Sequence, residues 1–201
     1  EQFKGKYQYA YPFDRTPQDN IIQADKSTYR VFEPRLGFSS SRAAYFHNSL
    51  GGYHGAKPAL LQDVYDFHLY KQDSVVLDML NVKFIIDDQY ADGVGKRQSA
   101  LGPVWLVDEV IQLANANEAI VQLNQIDPKT QAISQTLKST SYTSTATDTI
   151  SLIEKRNNLL RYTVSTTHQR LAVFSEMYYP SGWSVRIDGE LQSYHKVNYM
   201  L

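Results

Sequence analysis

Two groups of side chains have the types that handle a polyhydroxylated ligand. The first is Tyr45, His47, Tyr53 and His54, gathered around Gly51-Gly52. The second is Glu176, Tyr178, Tyr179 and Trp183, at the end of an apolar run. Ring faces stack on the C–H patches of a sugar, while imidazole and carboxylate edges exchange hydrogen bonds with its hydroxyls. Both groups also admit structural roles. Gly51-Gly52 can make a tight turn whose rings fill a core, and Trp183 in a half-buried strand can be a core anchor.

Other chemistry finds less support. Asp87-Asp88 and Asp108-Glu109 are adjacent carboxylates. Neighbours in a strand point to opposite faces, so neither pair makes an acid/base dyad, and turn or surface roles suit them better. The histidines, His47, His54, His68, His168 and His195, lack the i, i+4 spacing of a zinc helix, so no metal is expected. Gly93-Val94-Gly95-Lys96 lacks the glycine spacing and hydroxyl residue of a phosphate loop and reads as a turn. A G-x-S-x-G elbow is missing, which leaves serine hydrolysis unsupported, and no cofactor or catalytic residue is expected.

The elements that must position these residues are set by patterning. The chain has 201 residues, 42% of them hydrophobic, which is enough for a substantial core. Its formal charge of -1 argues against nucleic acid as a partner. Without cysteine there are neither disulfides nor thiolate sites. No run reaches the ~18 apolar residues of a membrane span. The start without Met and the end inside an apolar β segment suggest a piece of a longer protein, truncated within its last strand. Aromatic content is mostly phenolic, with 15 Tyr against 8 Phe and 2 Trp.

Residues 1–28 read as an irregular lead-in. A strand at 29–32 precedes a long loop rich in Gly, Ser and rings, and a loop of that length suits function better than mere connection. Helices follow, one starting near Pro58 with Leu60, Leu61, Val64, Tyr65 and His68 on a face, and one capped by Asp73 or Ser74. Strands at 82–86 and 104–110 and a helix at 115–125, with Asn115 and Glu118 at capping-box spacing, continue the alternation. A strand at 132–137 ends it. The α+β expectation is a small α/β layer over residues 29–138, a Ser/Thr-rich connection at 139–149 able to extend an edge strand, and an antiparallel β-sandwich over 150–201. That last part comprises a hairpin around Asn157-Asn158 and segments at 171–177, 183–187, 191–194 and 197–201.

A set of motifs carries a family likeness. In order they are Ala44 to His54 (AYFHNSLGGYH), Lys57-Pro58, Gln62-Asp63, residues 77–86 (LDMLNVKFII), Leu101-Gly102-Pro103-Val104-Trp105, Asn115-Ala116-Asn117-Glu118, residues 172–179 (AVFSEMYY), Gly182-Trp183 and Ile187-Asp188-Gly189. Together they resemble the YfhO-type bacterial membrane protein family. The resemblance implies a polytopic protein of the cytoplasmic membrane, related to glycosyltransferases that use polyprenyl-phosphate sugars, with this chain as a soluble domain on the extracytoplasmic, periplasmic side. The catalytic acid of such proteins is expected in an early loop between membrane helices, and none of that loop is present. The expected partners are the membrane-embedded remainder and a glycan or lipid-linked sugar. Two other classes remain open: an independent carbohydrate-binding module, and a structural or protein-interaction domain.

Overall fold

The computed structural model describes residue 5 and residues 10–201. Of the expected lead-in, residues 1–4 and 6–9 lie outside the described part, and the remainder is not irregular throughout. Pro17–Ala24 form a helix, α1, for a local reason. Pro17 fits the first turn, where its missing N–H is no loss, and the Asp19 carboxylate accepts the Thr16 amide at 2.8 Å to make a capping box.

The contacts divide the chain into two units that interleave in sequence, residues 1–55 with 82–98, and residues 56–81 with 99–201. In the first unit β1 (Arg30–Phe32) runs parallel to β2 (Val82–Ile86), which pairs antiparallel with β3 (Val94–Lys96). Ser49 bridges to Val31 on the other side of β1, with the Val31 amide donating to Asn48 at 2.9 Å and the Leu50 amide to Val31 at 2.8 Å. Ile22 of α1 packs with Val31 and Phe84 under Tyr29, Ile86 and Val94, so the helix lies on the sheet through a small apolar core. A short helix, α2 (Ser41–Phe46), fills the connection from β1 to Ser49.

The second unit begins with α3 (Ala59–Phe67), introduced by Pro58 at the cap position, and a single 3₁₀ turn at Leu69–Lys71. Next comes α4 (Ser74–Met79), where Asp73 caps by accepting the Val75 amide at 3.1 Å. The same carboxylate lies 3.2 Å from Nδ1 of buried His68, whose Nε2 is 2.6 Å from the Ile120 carbonyl. Ile120 belongs to α5 (Ala116–Gln122), capped by Asn115 as its spacing predicts.

The strands of this unit are shorter than expected. The run at 104–110 breaks into β4 (Val104–Val107) and β5 (Glu109–Gln112), because the amides of Asp108 and Glu109 both turn to the Thr130 carbonyl at 2.7 and 3.0 Å. β5 is flanked by β6 (Gln131–Ser134), parallel, and β7 (Thr140–Ser141), antiparallel. The Ser/Thr-rich connection therefore does contribute an edge strand. β6 stops where the Ser134 hydroxyl takes the Thr136 and Leu137 amides, each at 3.2 Å.

β8 (Thr149–Arg156) and β9 (Leu159–Ser165) form the hairpin predicted at Asn157-Asn158. β10 (Leu171–Phe174) returns to pair with β4, while β11 (Val185–Ile187) and β12 (Glu190–Gln192) close a second hairpin. Residues 197–201 form no strand. Val197 and Leu201 exchange backbone hydrogen bonds of 2.8 and 2.9 Å around a turn in which Asn198 and Tyr199 have φ of 48° and 68°. The architecture is thus α+β, with helices and small antiparallel and mixed sheets.

The loop bearing Tyr53 and His54, within the first unit, begins at a close backbone contact. A Cβ at Gly51 would lie 2.3 Å from the Gly37 carbonyl oxygen, so only glycine fits. Gly51→Ala is expected to destabilise the chain by about 1–3 kcal/mol through forced backbone displacement. Urea unfolding measures this, and faster hydrogen exchange at the Leu50 amide locates it.

Candidate functional site

In the first unit the helix α2 ends between two residues expected to work together, and it sends them in opposite directions. Tyr45 is 47% exposed, with its ring edge-on to Phe13 at 5.6 Å and to Phe46 at 4.9 Å. The His47 side chain is 2% exposed, and its Nε2 lies 2.8 Å from Asp19 Oδ1. His47 therefore serves the interior and does not share a ligand surface with Tyr45. Tyr53 stands 82% exposed and His54 is also at the surface.

Asp19, which the residue pattern did not mark, is the hub beneath this face. It is fully buried and holds the Thr16 amide, the Thr16 hydroxyl at 3.1 Å, Arg42 and His47. Burial pushes its carboxyl up. The Thr16 amide, Arg42 and His47 outweigh that and hold it at about 2. Arg42 also lies over the Phe46 ring at 5.1 Å, with Arg15 at 5.7 Å. The signal available in the sequence was Thr16 and Asp19 at capping spacing, and it announces a helix start rather than a charge network.

In the second unit three of the expected residues come together with one that was not singled out. Tyr178 and Tyr194 have ring centroids 5.3 Å apart, and the Tyr194 hydroxyl donates to the Trp183 carbonyl at 3.2 Å. Burial pushes the Tyr194 hydroxyl up, and Tyr178 adds to the shift. Trp183 is half-buried, its amide donating to Tyr179 at 2.9 Å, whereas Tyr179 itself is 59% exposed. Glu176 is half-buried beside this group in sequence and engaged within the fold. Tyr199 donates to Asp63 at 2.6 Å, and burial together with that bond pushes its hydroxyl up to about 12. It is a fixed donor at every ordinary pH.

The paired carboxylates take separate roles. Asp87 accepts the Gln89 amide at 3.0 Å in a turn, and exposed Asp88 pairs with Arg35. Asp108 accepts from Arg170 at 2.6 Å, while Glu109 accepts from Gln131 at 2.8 Å. Arg170 is nearly buried and also binds Asp148, whose carboxyl is held low first by the Thr145 hydroxyl and further by Arg170. Chemically, the presented groups are phenol rings and imidazole, suited to stacking and hydrogen bonding. The buried acids at Asp19 and Asp148 are committed to arginine.

No family model, curated protein or solved structure matches the chain.

Because Asp19 sits low when folded, its contribution is complete above the ordinary carboxylate range and disappears as pH falls through about 2. That contribution is on the order of 2 kcal/mol. Asp19→Asn should cost about 3 kcal/mol at neutral pH by leaving Arg42 with an uncompensated charge. It should also flatten the loss of stability between roughly pH 4 and pH 2. Chemical denaturation of both proteins across that range checks the sign and the size.

Proposed function

We propose that the chain is a non-catalytic extracytoplasmic domain of a YfhO-type, glycosyltransferase-like polytopic protein of the cytoplasmic membrane, and that it holds an acceptor glycan for the membrane-embedded remainder. The observation that carries the glycan-holding role is the outward presentation of phenol rings on locally fixed backbone. Tyr53 is 82% exposed just beyond Gly51, which is pressed onto Gly37, and Tyr179 is 59% exposed beside the Tyr178–Tyr194 pair. An exposed ring on a rigid base loses little freedom when a sugar stacks on it. The membrane setting and periplasmic side are supported by the order of motifs from residue 44 to residue 189. A lipid-linked sugar is the second candidate ligand.

The C-terminal β-sandwich belongs to the same proposal. Its support is the edge-on contact of Tyr162 in β9 with Phe174 in β10 at 4.9 Å, which lays the β8–β9 hairpin against the β4–β10 ladder. Sandwich cores are made of such facing side chains.

A second reading is a domain that makes protein contacts. It is favoured by exposed Ile187 and Leu191 on the β11–β12 hairpin, apolar side chains of a kind that interfaces cover.

Glycan-array binding by the purified chain separates the two. Binding that weakens about fivefold in Tyr53→Ala or Tyr179→Ala, near 1 kcal/mol per lost stacking contact, is the expected outcome. If no glycan binds, or if both variants bind as the parent does, glycan holding by these rings is overturned.

A further inference from the structure

Between the loop from β2 to β3 and the helix α1 lies an open cleft of about 400 Å³ within the first unit, lined by Pro17, Gln18, Ile21, Asp88, Tyr90 and Asp92 among others. The loop is tightly built. The Asp87 amide donates to Gly93 at 3.1 Å, the Tyr90 amide to Asp87 at 3.2 Å and the Gly93 amide to Tyr90 at 2.8 Å.

Of the two glycines expected in a turn, only Gly93 closes one, because Gly95 lies within β3 and pairs with Ile85. Gly93 has φ of 69°, and a Cβ there would lie 2.7 Å from the Gln18 side-chain amide nitrogen. A Cβ at Gly95 would lie 2.3 Å from the Tyr90 ring. The missing side chains thus seat the Gln18 amide on one backbone position and the Tyr90 ring on another. Tyr90 remains 36% exposed, and Ile21 is exposed beside it.

We infer that this cleft is a subsite for a neutral or amino sugar. The inference rests on the glycan-holding reading above and adds a place and a ligand class to it. Its residue types are those such a ligand needs: a ring and apolar side chains, Tyr90, Ile21 and Pro17, for the C–H face, with an amide and a carboxylate, Gln18 and Asp92, for the hydroxyls. Asp88 is already paired with Arg35, which leaves Asp92 as the carboxylate offered to the ligand. The Asp92 carboxylate sets the charge preference, since an acidic sugar would meet like charge while an amino sugar would gain an ion pair.

Amide-resolved NMR titration of the chain with glucose, glucosamine and glucuronate tests this, with Tyr53 and Tyr179 as reference positions. Saturable shifts at residues 18 and 88–93 with glucose and glucosamine, and none there with glucuronate, are expected. Asp92→Asn and Gln18→Ala should each weaken that response at least about fivefold, the loss of one hydrogen bond to the ligand, without altering the rest of the spectrum. Shifts confined to the neighbourhoods of Tyr53 and Tyr179 would overturn the cleft while leaving glycan holding intact. Shifts nowhere would overturn both. An unchanged response in both variants, or an equal response to glucuronate, would overturn the assigned roles and with them the subsite.

Discussion

The parallel pairing of β1 with β2 is the constraint from which the arrangement follows. Parallel neighbours cannot be joined by a hairpin, so the chain must leave β1 and cross over before it returns as β2. Here the crossover is long enough to carry α2, the Tyr53 loop, α3 and α4, and its second half belongs to the other unit. Lengthening a closed loop raises its entropic cost only slowly, which makes so large an excursion tolerable. The consequence is that the first unit's sheet cannot be completed until the segment that opens the second has been synthesised and passed.

Each unit contains an arginine that takes a buried carboxylate. Arg42 meets Asp19 in the first, and Arg170 meets Asp148 in the second. Removing two charges from water costs several kcal/mol per ion unless the remaining hydrogen bonds are also satisfied (~2–7 kcal/mol for each polar group left unpaired). Both carboxylates meet that demand with local chain, although Nε of Arg170 is buried without a partner. Thr16 supplies an amide and a hydroxyl to Asp19, and Thr145 supplies the same two groups to Asp148. A short Thr-x-x-Asp segment thereby becomes a preformed acceptor into which a distant arginine docks. Breaking either pair by removing one partner strands the other charge.

Much of the helical content was legible because caps are local. Asn115 with Glu118, and Asp73 ahead of Val75 and Val76, use spacing alone and act as that spacing predicts. The strand boundaries were not legible for the opposite reason. The break at Asp108 comes from Thr130 and Arg170, and the turn at 197–201 from Asn198, which exchanges hydrogen bonds with Ile133 through its amide and side chain. Apolar alternation read as a strand there because no local residue announces the long-range partner. The candidate site divides in the same way. Ring and imidazole types could be read off the chain, but only tertiary packing sends His47 inward to Asp19 and leaves Tyr53 at the surface.

The abundance of tyrosine shows why composition alone cannot stand for a binding surface. Several phenols are internal clamps whose hydroxyls reach backbone or carboxylate. Tyr29 donates to the Ile22 carbonyl at 2.6 Å, Tyr194 to Trp183 at 3.2 Å and Tyr199 to Asp63 at 2.6 Å. In these positions the ring fills apolar space and the hydroxyl ties α1, or a segment near the end of the chain, to its surroundings. Phenylalanine would pack as well but would forfeit the hydrogen bond, a loss of about 0.5–1.5 kcal/mol. Others, such as Tyr53 and Tyr179, lie mostly in water, where holding an interior acceptor does not explain them. The excess of tyrosine over phenylalanine is therefore the sum of two demands, and only exposure separates them. Two surface rings join rigidity to access, Tyr179 and Tyr90, because their backing is the bare backbone of Gly182 and of Gly95 and not another mobile side chain.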